Sequence, residues 1–316
     1  MSEIKKEDIH IINRHSNWSA HSIEALLKKE VYNTKASWQQ FLRVFFISLG
    51  VAFTTAGILF FFAYNWTDLH KFIKIGLVEA LIVGIISVVL FSKISVDIKN
   101  ILLTGASILV GVLFAVFGQI YQTGANAYDF FLGWTLFISI WVAVSNFAVL
   151  WLLFIILINT TIILYSQQVA YDWSEIFVFT LLFMMNTAFL LTALFGKRIQ
   201  KNIIAPTWFS NTIALAVVSI STSGISYGIF AKAEIFFIIL LLTSAILYIL
   251  GVKYSLKIKR TFYLSIIAFS VITIITAFFV KISNDFGMFL FISLFLIASV
   301  TFVIKTLINL QKKWAN

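Results

Sequence analysis

Cysteine is absent from this 316-residue chain, so disulfides, thiolate metal sites and cysteine nucleophiles are all excluded. Charge is scarce as well: Asp, Glu, Lys and Arg together make up 11% of residues, too few to cover the surface of a water-soluble domain. There is one proline and there are 14 glycines, so helices, once begun, should run on uninterrupted. No cleavable signal peptide is expected, because the first 40 residues are polar and the first apolar run is too long for one. What fills the remaining space is apolar: 61% of residues are hydrophobic and the mean hydropathy is +1.00. Water cannot solvate that much apolar surface, and a bilayer can. The net charge of +10 does not point to nucleic acid, since the basic residues lie in short clusters between apolar runs, where they orient spans.

A helix crossing about 30 Å of hydrocarbon needs about 20 mainly apolar residues. Ten runs meet this, near 42–63, 72–92, 101–118, 130–145, 148–166, 175–195, 208–230, 234–251, 262–281 and 286–305. One join is weakly marked: residues 133–165 are almost continuously apolar, broken only at Ser145-Asn146-Phe147. As one helix that stretch would measure about 50 Å, too long for a single span. Charge separates the alternatives. With ten spans and both ends inside, 19 Lys and Arg fall inside and four (Lys71, Lys74, Lys232 and Lys281) outside. Merging the pair gives 11 against 12, which discards the positive-inside bias. The expected fold is therefore all-α, a polytopic bundle of about ten spans with both termini cytoplasmic. Its divisions are a helical head over 1–40, the bundle over 41–308 and a tail over 309–316.

The head differs in composition from the rest. Ile4, Ile9, Ile11 and Ile12 suit one short helix. Ile23, Leu26 and Leu27 suit a second, from about Ser19 to Val31, with Ser19 or Asn17 as its cap. Such a segment can lie amphipathically on the membrane or dock a partner. His10, His15 and His21 lack acidic or cysteine neighbours at ligand spacing, so no metal site is expected, and no cofactor.

Two polar stretches stand out on the predicted outer side. The first closes the first span and contains Tyr64, Asn65, Trp66, Asp68 and His70; the second contains Gln119, Tyr121, Gln122, Thr123, Asn126 and Asp129. Amides and carboxylates there are costly near hydrocarbon unless paired or wetted. Both stretches emerge on one predicted side and so can meet in a shared outer site. The plainer reading is an interfacial aromatic belt, with polar residues satisfying a sharp turn. Within the spans, Glu79 is the sole carboxylate at depth, a candidate proton- or ion-coupling group. Asn159 and Asn186, near mid-span, suit hydrogen bonding between helices.

Ala63-Tyr64-Asn65-Trp66, and Gly118-Gln119-Ile120-Tyr121-Gln122-Thr123-Gly124-Ala125 followed by Ala127-Tyr128 and Trp134, resemble a family of predicted bacterial membrane proteins, domain of unknown function 2157. The likeness covers roughly residues 5–150, with Asn126 where that family favours Asp. It implies a multi-pass protein of the bacterial inner membrane and supplies no activity. Two functional classes follow. In the first, the chain is transporter-like or binds a small-molecule solute at a polar outer mouth, with Glu79 coupling. In the second, it is a structural or assembly subunit docking a membrane-protein partner through the Gly-Gln turn and the head. No catalytic residue is expected. A membrane enzyme using Asp129 and His70 is the minor third reading. The Asn65-Trp66-Thr67 triplet fits a glycosylation acceptor only in a secretory route.

Overall fold

The structure, a computed structural model, describes residues 18–19, 21–24, 27, 35–64, 69–121, 124–199, 205–232, 234–283 and 285–315. Several expectations fall outside these residues: the first head helix, His10, His15, Asn65, Trp66, Asp68, Gln122 and Thr123.

Every described element is helical. The ten helices are α1 Lys35–Tyr64, α2 Lys71–Phe91, α3 Val96–Tyr121, α4 Ala127–Ser145, α5 Ala148–Gln168, α6 Glu175–Ile199, α7 Thr207–Phe230, α8 Ile235–Ile258, α9 Phe262–Ile282 and α10 Phe286–Ala315. All ten are long and apolar enough to cross a bilayer. Every expected run lies mostly within its own helix. The apolar stretch at 133–165 is two helices, and the backbone shows why. Asn146 takes a left-handed conformation (φ 46°, ψ 35°) that closes α4, its N–H donating to Val142 O at 3.2 Å. Asparagine is among the few residues that tolerate this region, so Ser145-Asn146-Phe147 carries a stop signal that hydropathy alone does not register. The chain's single proline, Pro206, stands at the N-cap of α7, outside the helix interior where it would break a hydrogen bond.

The chain divides into two compact units, Met1–Leu113 and Phe114–Asn316. In the first, residues 21–24 and 27 are helical, with Ile23 and Leu27 buried. Ser19 caps this segment as its sequence suggests, its Oγ accepting from the Ser22 N–H at 3.2 Å. Helix α1 presents almost its whole surface outward: Phe53 is 69% exposed and Phe60 75%. Such faces are untenable in water and ordinary against lipid.

The second unit has its core around α7, whose Phe209, Ile213, Val217 and Ile225 are buried among side chains of α5, α6, α8 and α9. Close approach requires small residues. A Cβ on Gly224 would come within 2.8 Å of both Phe179 and Leu240, and one on Gly228 within 2.2 Å of Phe237. These glycines, one turn apart, let α6 and α8 pack tightly on α7 where apolar lipid supplies no hydrophobic drive. Ten apolar helices of spanning length make the chain a multi-pass membrane protein.

Candidate functional site

The most specific motif of the sequence, Gly118–Asp129, begins in the last turn of α3, includes the non-helical residues 124–126 and ends in the first turn of α4. Gly124 adopts φ +66°, a conformation glycine takes without a Cβ penalty. Beyond it Asn126 caps α4 in an extended conformation, and Asp129 reaches back so that its carboxylate accepts the Asn126 N–H at 3.1 Å, completing a capping box. A further orphan donor of α4, the Tyr128 N–H, is satisfied from another helix by Gln168 Oε1 at 3.0 Å. Asn126 and Asp129 are thus engaged with the turn itself. Gln119 and Tyr121 are exposed, with the Tyr121 ring 4.6 Å from that of Phe117. Phe114, Phe117, Gly118, Gly124, Ala125, Asn126, Asp129 and Phe130 line an open hollow of about 440 Å³.

An aromatic series runs along the same end of this unit. Tyr128 meets Tyr165 at 5.2 Å, Tyr165 meets Trp173 at 5.4 Å, Trp173 meets Phe177 at 5.0 Å and Phe177 meets Phe236 at 4.8 Å, each edge to face. Trp134 packs against Phe130 at 5.9 Å. This is the arrangement an interfacial belt requires, amphipathic rings at the level where hydrocarbon gives way to water.

From the first polar stretch, Tyr64 ends α1 at 88% exposure. His70 is the N-cap of α2, its Nδ1 accepting the Phe72 N–H at 3.4 Å, which accounts for its position as a cap. The two polar stretches belong to different compact units. Each has a local structural role: capping for His70, Asn126 and Asp129, and exposure for Tyr64, Gln119 and Tyr121.

Glu79 lies on the ninth residue of the 21-residue α2, near mid-span. Its side chain is exposed, and among the described residues it makes no hydrogen bond or ion pair. Gly76, Ala80, Val83 and Gly84 flank it, exposed as well, and a Cβ on Gly76 or Gly84 would meet nothing within 4 Å. The buried side of α2 carries Lys74 and Val78 instead.

The two mid-span asparagines do meet. Asn186 Nδ2 donates to Asn159 Oδ1 at 2.6 Å, and Asn159 Nδ2 donates to Asn186 Oδ1 at 3.2 Å. Each amide also donates to the carbonyl four residues earlier, Ile155 O at 2.7 Å and Leu182 O at 2.8 Å. Asn186 is 1% exposed, so this pair clamps α5 to α6 with its polar atoms fully used.

Sequence reasoning missed a second polar group in the bundle. The Tyr248 hydroxyl bonds Ser221 Oγ at 2.8 Å and Ser270 Oγ at 2.6 Å, and Ser270 Oγ bonds Thr222 Oγ1 at 2.6 Å. These four hydroxyls join α7, α8 and α9 at depth. One turn before Tyr248, Ser244 is 1% exposed and its Oγ has no hydrogen-bond partner. A hydroxyl in a spanning helix can always bond its own i−4 carbonyl, so serine and threonine give no advance sign of bridging helices.

No curated protein and no solved structure matches the chain. Residues 19–151 match the model of the family described as a predicted membrane protein, domain of unknown function 2157 (DUF2157), as the resemblance implies.

Proposed function

We propose that this chain is an assembly subunit of a membrane complex, which docks another membrane-spanning helix on the Glu79 face of α2. The observation that carries the reading is an exposed carboxyl near the middle of a spanning helix, with no partner among the described residues. An acid facing hydrocarbon costs about 3 kcal/mol at a helix centre, a cost that a hydrogen-bonding partner offsets. The open backbone at Gly76 and Gly84 supports the same reading, because small residues let a second helix come close enough to reach the carboxyl. The capping work of Asn126 and Asp129 moves the emphasis away from the Gly-Gln turn, the docking element the sequence first suggests, to α2. No catalytic role is part of the proposal. The charge count, 19 basic residues on one side against four on the other, supports cytoplasmic ends, and the family resemblance supports a bacterial inner membrane.

Glu79→Leu removes the carboxyl, and Glu79→Gln keeps its hydrogen-bonding capacity. Extracted gently from its own membranes, the wild-type chain should run above its 35.8 kDa monomer mass. The leucine variant should revert to a monomer and the glutamine variant should remain assembled. A wild-type chain that is monomeric in membranes as well as in mild detergent would remove the proposal.

The hollow beside the Gly118–Asp129 turn favours a second reading, a solute-binding mouth. Its walls are mainly apolar, with Asn126 and Asp129 as their polar members, which suits an amphipathic solute. In that case Phe117→Trp, which narrows the hollow, should weaken solute-dependent thermal stabilisation and leave assembly unaffected.

A further inference from the structure

At one end of the second unit, the last turns of α7 and α9 and the first turns of α8 enclose an apolar cleft of about 550 Å³. Gly228, Phe237, Leu241, Ile274 and Phe278 form its walls, and Lys281 is the one charged residue lining it. The volume falls in the range of small-molecule sites, roughly 300–1,000 Å³. Leu241 and Phe278 are 42% and 52% exposed, so the cleft opens sideways along the helices and not only at their ends. A molecule entering from that side comes from the bilayer.

Charge at the mouth narrows the choice of molecule. Lys281 is in the last turn of α9, and its Nζ stands 5.7 Å from the centre of the Phe230 ring, at the head of the cleft. In this unit the opposite ends of the helices carry ten Lys and Arg between Lys197 and Lys313, whereas this end has only Lys232 and Lys281. Lys281 is therefore not one of a cluster that sets orientation. Glu234, on the α7–α8 connection, is engaged by the Ser174 hydroxyl at 2.5 Å, and Asp285, on the α9–α10 connection, accepts the Met288 N–H at 2.7 Å. An ammonium at interfacial depth above an apolar, laterally open cleft is complementary to a phosphate carrying an acyl chain. We propose that this cleft binds an anionic phospholipid, one acyl chain along Phe237, Leu241 and Phe278 and the phosphate on Lys281.

A single interfacial cation favours anionic over zwitterionic lipid by about five-fold. The test uses the full chain, stripped of lipid in an uncharged detergent. Thermal unfolding and native mass spectra are recorded with phosphatidylglycerol, with phosphatidylcholine and with inorganic phosphate. Phosphatidylglycerol should stabilise more than phosphatidylcholine and give the more abundant bound species, and phosphate alone should do neither. Lys281→Gln should erase the difference between the lipids while keeping the response to phosphatidylcholine. Lys281→Arg should preserve it, and Ile274→Trp, which fills the cleft, should remove both responses.

Lys281 also faces the negative end of the α9 dipole. If that were its only role, Lys281→Gln would lower the unfolding temperature without lipid and leave the preference intact. That result would overturn the proposal, as would equal responses to both lipids. Stabilisation by inorganic phosphate equal to that by phosphatidylglycerol would overturn it too, by making the site one for a free anion.

Discussion

The amide pair Asn159–Asn186 has four of its hydrogen bonds confined to two helices, and neither residue can leave without stranding the other. Asn186→Leu should therefore cost about 1–2 kcal/mol, the loss of the interhelical bond plus the penalty on an unsatisfied Asn159. Asn159→Leu/Asn186→Leu together should cost less than the sum of the single changes, because the double variant leaves no polar atom stranded. A thermal or denaturant double-mutant cycle measures this directly. That the two amides choose each other is seen only in the packing; that both bridge helices is legible in the amino-acid sequence, since an amide at mid-span must find a partner. The Ser221–Tyr248–Ser270–Thr222 group is not legible there. Ser221 and Thr222 each also donate to Val218 O, so nothing in their sequence distinguishes a self-satisfied hydroxyl from one that bridges helices.

At the scale of elements, the Gly118–Asp129 turn ties composition to local structure most directly. Asp129→Ala removes the back-bond to the Asn126 N–H and should destabilise by about 1 kcal/mol. Asn126→Asp should be nearly neutral, because the two residues cap helices about equally well. Unfolding temperatures of the two variants against wild type check both. Asn and Asp at this place are equivalent for capping, which is a physical reason for either to serve. Element boundaries are legible wherever polar residues punctuate apolar runs. The break between α4 and α5 needs the charge count, because Asn146 acts through its backbone conformation and leaves the hydropathy nearly continuous.

Across the whole molecule, helix existence and number follow from the length of each apolar run and the spacing of basic clusters. The outward direction of Glu79 does not. A sequence shows that a carboxyl is at depth, and only packing shows which side of α2 is buried, here the side of Lys74 and Val78. That direction changes the meaning of the residue. A coupling group inside a bundle needs internal polar neighbours, whereas an exposed carboxyl beside open glycines needs a neighbour from another helix.

Because the chain contains no cysteine, single cysteines placed along α2 report contacts without background. The most direct measurement is crosslinking in native membranes of Gly76→Cys, Ala80→Cys and Val83→Cys, with Val78→Cys as the buried comparison. The account predicts discrete higher-mass adducts at 76, 80 and 83, none at 78, and their loss when Glu79→Leu is added. Adducts absent from all positions, or equal at all four and indifferent to Glu79→Leu, would contradict an assembly face on α2.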